Sequence, residues 1–131
     1  MTASLADLDG AWVPVDADIS GRELEVAALR VARLVIAAGR YLILARDNQT
    51  IDGGELRPGA ARSRGEVDLV GTEGPNTGRV IPALFELAND RLRLCYDLER
   101  AARPASMTPE PEQLLLRITY ERAVQVIEIS A

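Results

Sequence analysis

The stretch from Gly74 to Tyr96 constrains the fold of this chain more than any other. It starts with a glycine-rich turn, continues as an alternating apolar segment, reverses at Asn89-Asp90 and ends in a second alternating segment. A period of two is typical of a β-strand with one face against a core and the other in water. We therefore predict a β-hairpin over residues 79–98.

Similar alternating runs, separated by turn residues, recur along the rest of the chain. Gly53-Gly54 lies inside one of them, and paired glycines in a strand indicate a bulge or a sharp corner. Arg22 to Arg30 instead has apolar residues at helical spacing, with glutamate early and arginine late, so one short helix is predicted after the first strand. The further predicted strands cover residues 11–18, 33–38, 41–46, 49–57, 66–70 and 113–122, and 124–129 prolongs the last strand or adds another.

Eight or nine antiparallel strands that close on themselves leave no exposed edge for aggregation. The expected fold class is therefore an all-β antiparallel barrel with one short helix. The 131 residues are enough for a single domain, and no Pro- or Gly-rich linker divides them. We place the core at about 8–122 and a tail strand at 123–131.

Composition excludes several kinds of function. Histidine is absent and Cys95 is the only cysteine, so no zinc site, disulfide or histidine-based catalytic group can be assembled. The net charge is −5 and the basic residues are scattered, which argues against nucleic acid and anionic membranes as partners. No cofactor is expected. The start of the chain has neither a basic leader nor a long apolar run, so we expect a cytoplasmic protein.

An ordered set of motifs resembles a bacterial lipocalin-like (calycin-type) domain family of unknown function. Leu8-Asp9-Gly10-Ala11-Trp12 is similar to its opening Leu-x-Gly-x-Trp, and Glu73 to Arg79 is similar to its Asp-Gly-Pro-x-x-Gly-Lys turn. Phe85 to Cys95 resembles its Tyr-Glu-Leu-x-x-Asp-x-Leu-x-Leu-Cys hairpin, and Arg103-Pro104 its Arg-Pro. Met107 stands where the family usually has an aromatic residue.

The resemblance implies a structural role for Trp12 and no catalytic residues. In lipocalin-like barrels this tryptophan closes one end, and an arginine of the last strand stacks over it. Arg122 shares parity with the apolar residues of that strand and is our first choice for the partner, with Arg117 second. Such a cation–π pair contributes on the order of 1 kcal/mol.

Six residues are candidates for contact with a ligand inside the barrel: Tyr41, Phe85, Tyr96, Arg103, Met107 and Tyr120. Ring faces and phenol hydroxyls suit a mostly apolar ligand with one polar group. Plain core packing is the alternative for the rings. Arg103 would either close over a ligand at the barrel mouth or pin its loop to an acidic residue on the rim.

Structural roles explain the remaining residues that could suggest a catalytic or phosphate-binding site. Asp52, Glu55, Glu66 and Asp68 could suggest paired catalytic carboxylates, yet alternation places Glu66 and Asp68 on a solvated face. Cys95 has no nearby base to activate it and is read as structural. Gly74 to Gly78 lacks the Lys-Ser/Thr of a phosphate-binding loop.

We therefore expect a binding protein, rather than an enzyme, that holds a small and largely apolar molecule in the barrel interior. A second hypothesis is a cofactor-independent cyclase or isomerase for a polyketide-like substrate, in which shape and a few polar groups orient the substrate. A third is an interaction module, in which the alternating segment 124–129 pairs with another copy to form a homodimer.

Overall fold

The computed structural model describes residues 4–59, 65–99, 102–108 and 114–123. Within these ranges the chain forms nine β-strands and two short 3-10 turns, Leu5–Leu8 and Val26–Ala28. The strands are β1 Gly10–Ile19, β2 Arg22–Glu23, β3 Arg33–Ala37, β4 Arg40–Leu44, β5 Thr50–Pro58, β6 Glu66–Glu73, β7 Val80–Ala88, β8 Arg91–Asp97 and β9 Leu115–Arg122.

Eight of these strands form a closed antiparallel barrel. β1 pairs with β3 on one side and with β9 on the other, and β3 to β9 pair in sequence order. β2 is an outer strand that pairs only with the end of β1, through Asp18 and Ile19. The predicted all-β barrel is confirmed, and its topology is compatible with a lipocalin-like fold.

The predicted helix over 22–30 is reduced to a three-residue 3-10 turn at Val26–Ala28. The chain reverses at Ser20-Gly21, which have positive φ angles of 50° and 86°, and Arg22-Glu23 then pairs back onto β1. A nine-residue helix is marginal without tertiary support, so the ladder bonds to β1 prevail over the helical pattern.

Alternation explains which side chains fill the barrel. On β7, Ile81, Ala83 and Phe85 point inward and are buried. The register of β5 against β6 shifts between Gly53 and Gly54, which confirms the predicted bulge. A Cβ on Gly54 would lie only 2.0 Å from the carbonyl oxygen of Val70, so a side chain cannot fit at this corner.

A second, smaller set of buried residues lies on the outer face of the barrel. Leu84, Cys95 and Leu115 alternate outward, yet each is at most 4% exposed. Segment 102–108 crosses this face, and its Pro104 side chain is buried against it. The outer cluster explains why strand residues facing away from the barrel are apolar here.

No helix in the described part of the chain is long and apolar enough to cross a bilayer. The predicted tail strand at 124–129 lies outside the described residues, and so does the interaction surface expected there.

Candidate functional site

One end of the barrel, called the closed end below, holds the β3–β4 turn at Ala38-Gly39 and the β7–β8 turn at Asn89-Asp90. Trp12 is fully buried there, and its Nε1 donates a hydrogen bond to the carbonyl oxygen of Leu8 over 2.8 Å. The guanidinium carbon of Arg122 lies 4.3 Å from the centre of the tryptophan ring.

Arg122, rather than Arg117, is thus the residue that stacks on the tryptophan. Its guanidinium also donates to the carbonyl oxygen of Asp9 over 2.8 Å and to Asp90 Oδ1 over 3.1 Å. Arg117 instead pairs with Asp18 Oδ2 at 2.7 Å on the outside of the barrel. The indole N–H of Trp12 and the guanidinium of Arg122 thus both have hydrogen-bond acceptors at this end. The closed end is therefore a structural plug.

Beyond this plug the barrel interior contains a cavity of about 300 Å³. Its wall is mainly aliphatic, with contributions from seven of the eight barrel strands, β3 to β9. The exposed Arg30 forms part of its rim at the end opposite Trp12. The polar and aromatic residues of the wall are Tyr41, Asp52, Asn76, Phe85, Tyr96 and Tyr120.

All three tyrosines of the chain therefore line the cavity, together with its only phenylalanine. Burial, with a smaller contribution from the Asp52 charge, raises the pKa of Tyr41 to about 12 and that of Tyr96 to about 12. Burial also raises the pKa of Tyr120. None of the three hydroxyl groups has a hydrogen-bond partner among the described residues. They are neutral polar groups that line the cavity.

Asp52 brings a carboxylate into this largely apolar wall. Its Oδ2 accepts a 2.6 Å hydrogen bond from the side-chain nitrogen of Asn76, and its Oδ1 accepts one of 3.0 Å from the backbone N–H of Gly53. Because a carboxylate cannot donate, this contact fixes which atom of the Asn76 amide is nitrogen. Among the described residues, Asp52 forms no ion pair with any arginine.

The other amide atom, Asn76 Oδ1, is the one fully buried side-chain polar atom without a hydrogen-bond partner in the part of the chain described here. Leaving a buried acceptor unpaired costs about 1–3 kcal/mol. Buried polar groups without partners are uncommon in folded proteins and call for an explanation. The Asp52–Asn76 pair is therefore the feature of the cavity that packing alone does not explain.

Local structure explains how both side chains reach the cavity. Asp52 is directly opposite Ile43 in the β4–β5 ladder, and Ile43 also lines the cavity. Asn76 lies in the β6–β7 turn, whose backbone packs so closely on Gly71 that a Cβ there would be 1.9 Å from the Asn76 carbonyl oxygen. The turn thereby places the Asn76 amide against the start of β5.

Sequence reasoning placed neither residue of this pair among the ligand contacts, and it considered Asp52 only as one of several possible catalytic carboxylates. A signal was present for Asp52, because it shares strand parity with the buried Leu56. For Asn76 no signal was available, since a Gly-Pro-Asn-Thr-Gly stretch is accounted for by turn formation alone.

Of the predicted ligand-contact residues, the structure brings Tyr41, Phe85, Tyr96 and Tyr120 together, but not Arg103 and Met107, which do not line the cavity. Arg103 donates to the carbonyl oxygens of Val67 and Ala83 over 3.0 and 2.9 Å on the outer face. It also pairs with Asp68 and Glu66, so it pins its loop, as the second reading of this residue states.

The solvated face expected for Glu66 and Asp68 needs correction. Both side chains do point away from the cavity, but they pair with Arg103 under segment 102–108, and only 10% of the Glu66 side chain is exposed. The loop that covers them follows 30 residues or more later in the chain, so strand alternation alone could not indicate it. Glu55 remains on the surface, paired with Arg40 and Arg57.

Burial raises the pKa of the Cys95 thiol, and this favours the unreactive protonated form. Within the described ranges, no group of three or more histidine, cysteine, aspartate or glutamate side chains is arranged to hold a metal ion.

Comparison with known proteins names no relative of this barrel: no family model, no curated protein and no solved structure matches the chain.

Proposed function

We propose that this protein is a lipocalin-like binding protein that holds a small, largely apolar molecule inside its barrel. The observation that carries the proposal is a cavity of about 300 Å³ with aliphatic walls and a few convergent polar groups. Small-molecule sites are typically concave, mostly apolar and oriented by a small number of polar side chains.

The volume and the wall chemistry limit the ligand. At about 30 Å³ per water molecule, the cavity corresponds to roughly ten waters. A ligand of roughly ten to fifteen non-hydrogen atoms fits this space. Contacts with Leu34, Ile81 and Ile118 favour an alkyl or ring body. The tyrosine hydroxyls and Asp52 favour one polar group on that body.

Displacement of a neutral fluorescent probe within this size limit, 1-aminonaphthalene, tests this proposal. The wild-type protein is expected to enhance the probe fluorescence and to lose the enhancement when decanol is added. Native mass spectrometry of freshly purified protein should then show one bound decanol per chain.

A cavity-filling variant shows where the probe binds. Leu94 lines the cavity, and Leu94→Trp places an indole in the ligand space. Val15 is on β1 and 41% exposed, so Val15→Trp adds the same side chain on the outer surface. Probe binding should be lost in the first variant and kept in the second. Equal binding by both folded variants would contradict the proposal.

A second candidate function is a cofactor-independent isomerase or cyclase. The observation that favours it is a carboxylate within electrostatic reach of Tyr41 and Tyr96. Asp52 would accept a proton from the substrate, while a neutral tyrosine hydroxyl would donate a hydrogen bond to the developing oxyanion. Exchange of α-hydrogens of 2-decanone for deuterium, catalysed by wild type and lost in Asp52→Asn, would support this function. Exchange at the rate of buffer alone would speak against it.

A further inference from the structure

The sign of the charge inside the barrel indicates which polar group the ligand carries. Asp52 is the one acidic side chain among the described cavity-lining residues, and Arg30 the one basic side chain. Arg30 is exposed on the rim, and no ion pair within the described ranges joins it to Asp52. Within the described part of the chain, the carboxylate therefore faces the cavity without a neutralising arginine.

The hydrogen-bonding groups around Asp52 also favour a ligand that donates hydrogen bonds. Asn76 Oδ1 can only accept, and none of the described residues donates a hydrogen bond to it. Both carboxylate oxygens of Asp52 can only accept, and each keeps a free lone pair beyond the bonds to Gly53 and Asn76. Tyrosine hydroxyls either donate or accept, so they do not decide the question. The surplus of acceptors calls for a donor.

The environment also disfavours a second negative charge. Burial raises the pKa of Tyr41 and Tyr96, and the Asp52 charge raises both further. An anionic ligand group would meet the same two obstacles, namely desolvation and repulsion from Asp52. A cation, by contrast, is attracted to Asp52 and to the faces of the surrounding aromatic rings.

We propose that the ligand carries a protonated amine at its polar end, with Asp52 as its counter-ion and the Asn76 amide as a positioning group. This inference rests on the proposed binding function, which it deepens by naming the chemical class of the ligand. The apolar body then occupies the aliphatic part of the cavity, and the rings of Tyr41 and Tyr96 lie beside the ammonium group.

Three ligands with the same alkyl chain length but differently charged polar groups show how the charge of the polar group affects binding. Decylamine, 1-decanol and decanoate are titrated against the probe-loaded wild-type protein at pH 7.5. Decylamine is expected to bind at least ten-fold more tightly than decanol, and decanoate to bind most weakly. Decanol or decanoate binding as tightly as decylamine would overturn the inference while leaving the proposed binding function intact.

Two matched variants identify the counter-ion. Asp52→Asn removes the charge in the cavity, and Asp16→Asn removes the same charge from an exposed site on β1. The preference for decylamine over decanol should fall to less than three-fold in the first and remain in the second. A preference that survives Asp52→Asn would also overturn the inference.

The order of wild-type affinities for decylamine, decanol and decanoate tests the inference even if Asp52→Asn does not fold. The far-UV circular dichroism of each variant shows whether it folds. If neither the neutral probe nor any decyl ligand enters the wild-type protein, the proposed function fails and this inference fails with it.

Discussion

The closed end of the barrel and the cavity wall use polar groups in opposite ways. At the closed end, Trp12 Nε1 has its acceptor and the Arg122 guanidinium has several. In the cavity, the buried acceptor Asn76 Oδ1 has no hydrogen-bond partner among the described residues. Since unpaired buried polar groups cost free energy, the difference separates a part of the molecule built for stability from a part built for a ligand.

The largest effect on stability is expected at the closed end. Trp12→Ala deletes a fully buried indole and its hydrogen bond, which should lower the free energy of unfolding by about 3–5 kcal/mol. Because Trp12 is the only tryptophan, urea unfolding has to be followed by far-UV circular dichroism rather than fluorescence. The exposed neighbour is the control: Val13→Ala should change stability by less than about 1 kcal/mol. Equal losses in the two variants would show that Trp12 is not a plug.

The next largest effect is expected in the cavity at alkaline pH. A folded-state pKa of about 12 for Tyr41 and Tyr96, against 10.0 for the free side chain, means that the unfolded chain ionises first. Their contribution to stability is complete below pH 10 and is lost as pH rises through 12. The loss is about 1.4 kcal/mol per pH unit for each such tyrosine.

Tyrosinate absorbance near 295 nm tests this directly, since all three tyrosines line the cavity. The native protein should show little signal at pH 10.5, whereas the same protein in 8 M urea should be mostly ionised. A native titration midpoint near 10 would mean that the cavity neither desolvates these rings nor exposes them to the Asp52 charge.

The sequence predicted the barrel because alternation and turn residues are local signals. It also indicated Trp12 and Arg122 through motif resemblance and strand parity. The outer cluster could not be predicted, since Leu84 and Cys95 alternate outward and are nevertheless buried, on a face crossed by segment 102–108, which is distant in sequence. The place of Asp52 in the cavity wall was not predicted either, because a carboxylate on a polar strand is usually exposed.

A smaller effect is expected for the arginine that stacks on Trp12. Arg122→Ala removes a cation–π contact and several hydrogen bonds at a site where about a third of the side chain is exposed, so a loss of about 1–2 kcal/mol is expected. Arg91→Ala is the control, because Arg91 forms one exposed ion pair with Glu121 on the same end of the barrel. It should cost under about 0.5 kcal/mol. If urea midpoints show similar losses for both, the stacking contributes nothing.

The smallest effect on stability is expected for Asn76, the residue that we propose positions Asp52 in the ligand site. Asn76→Ala loses one hydrogen bond to Asp52 but also removes a buried acceptor without a partner. These terms oppose each other, so the net change should stay within about 1 kcal/mol. Affinity for decylamine should nevertheless fall several-fold, because Asp52 loses the group that orients it.

The matched control for this variant is Asn89→Ala, in the turn of the closed end. Asn89 has a φ of 53°, a left-handed conformation that costs alanine about 1 kcal/mol. Asn89→Ala should therefore reduce stability and leave decylamine affinity unchanged. Asn76→Ala should instead reduce decylamine affinity and change stability little. A loss of more than about 2 kcal/mol in Asn76→Ala, with unchanged ligand affinity, would make its amide a structural group and remove the contrast between the two ends.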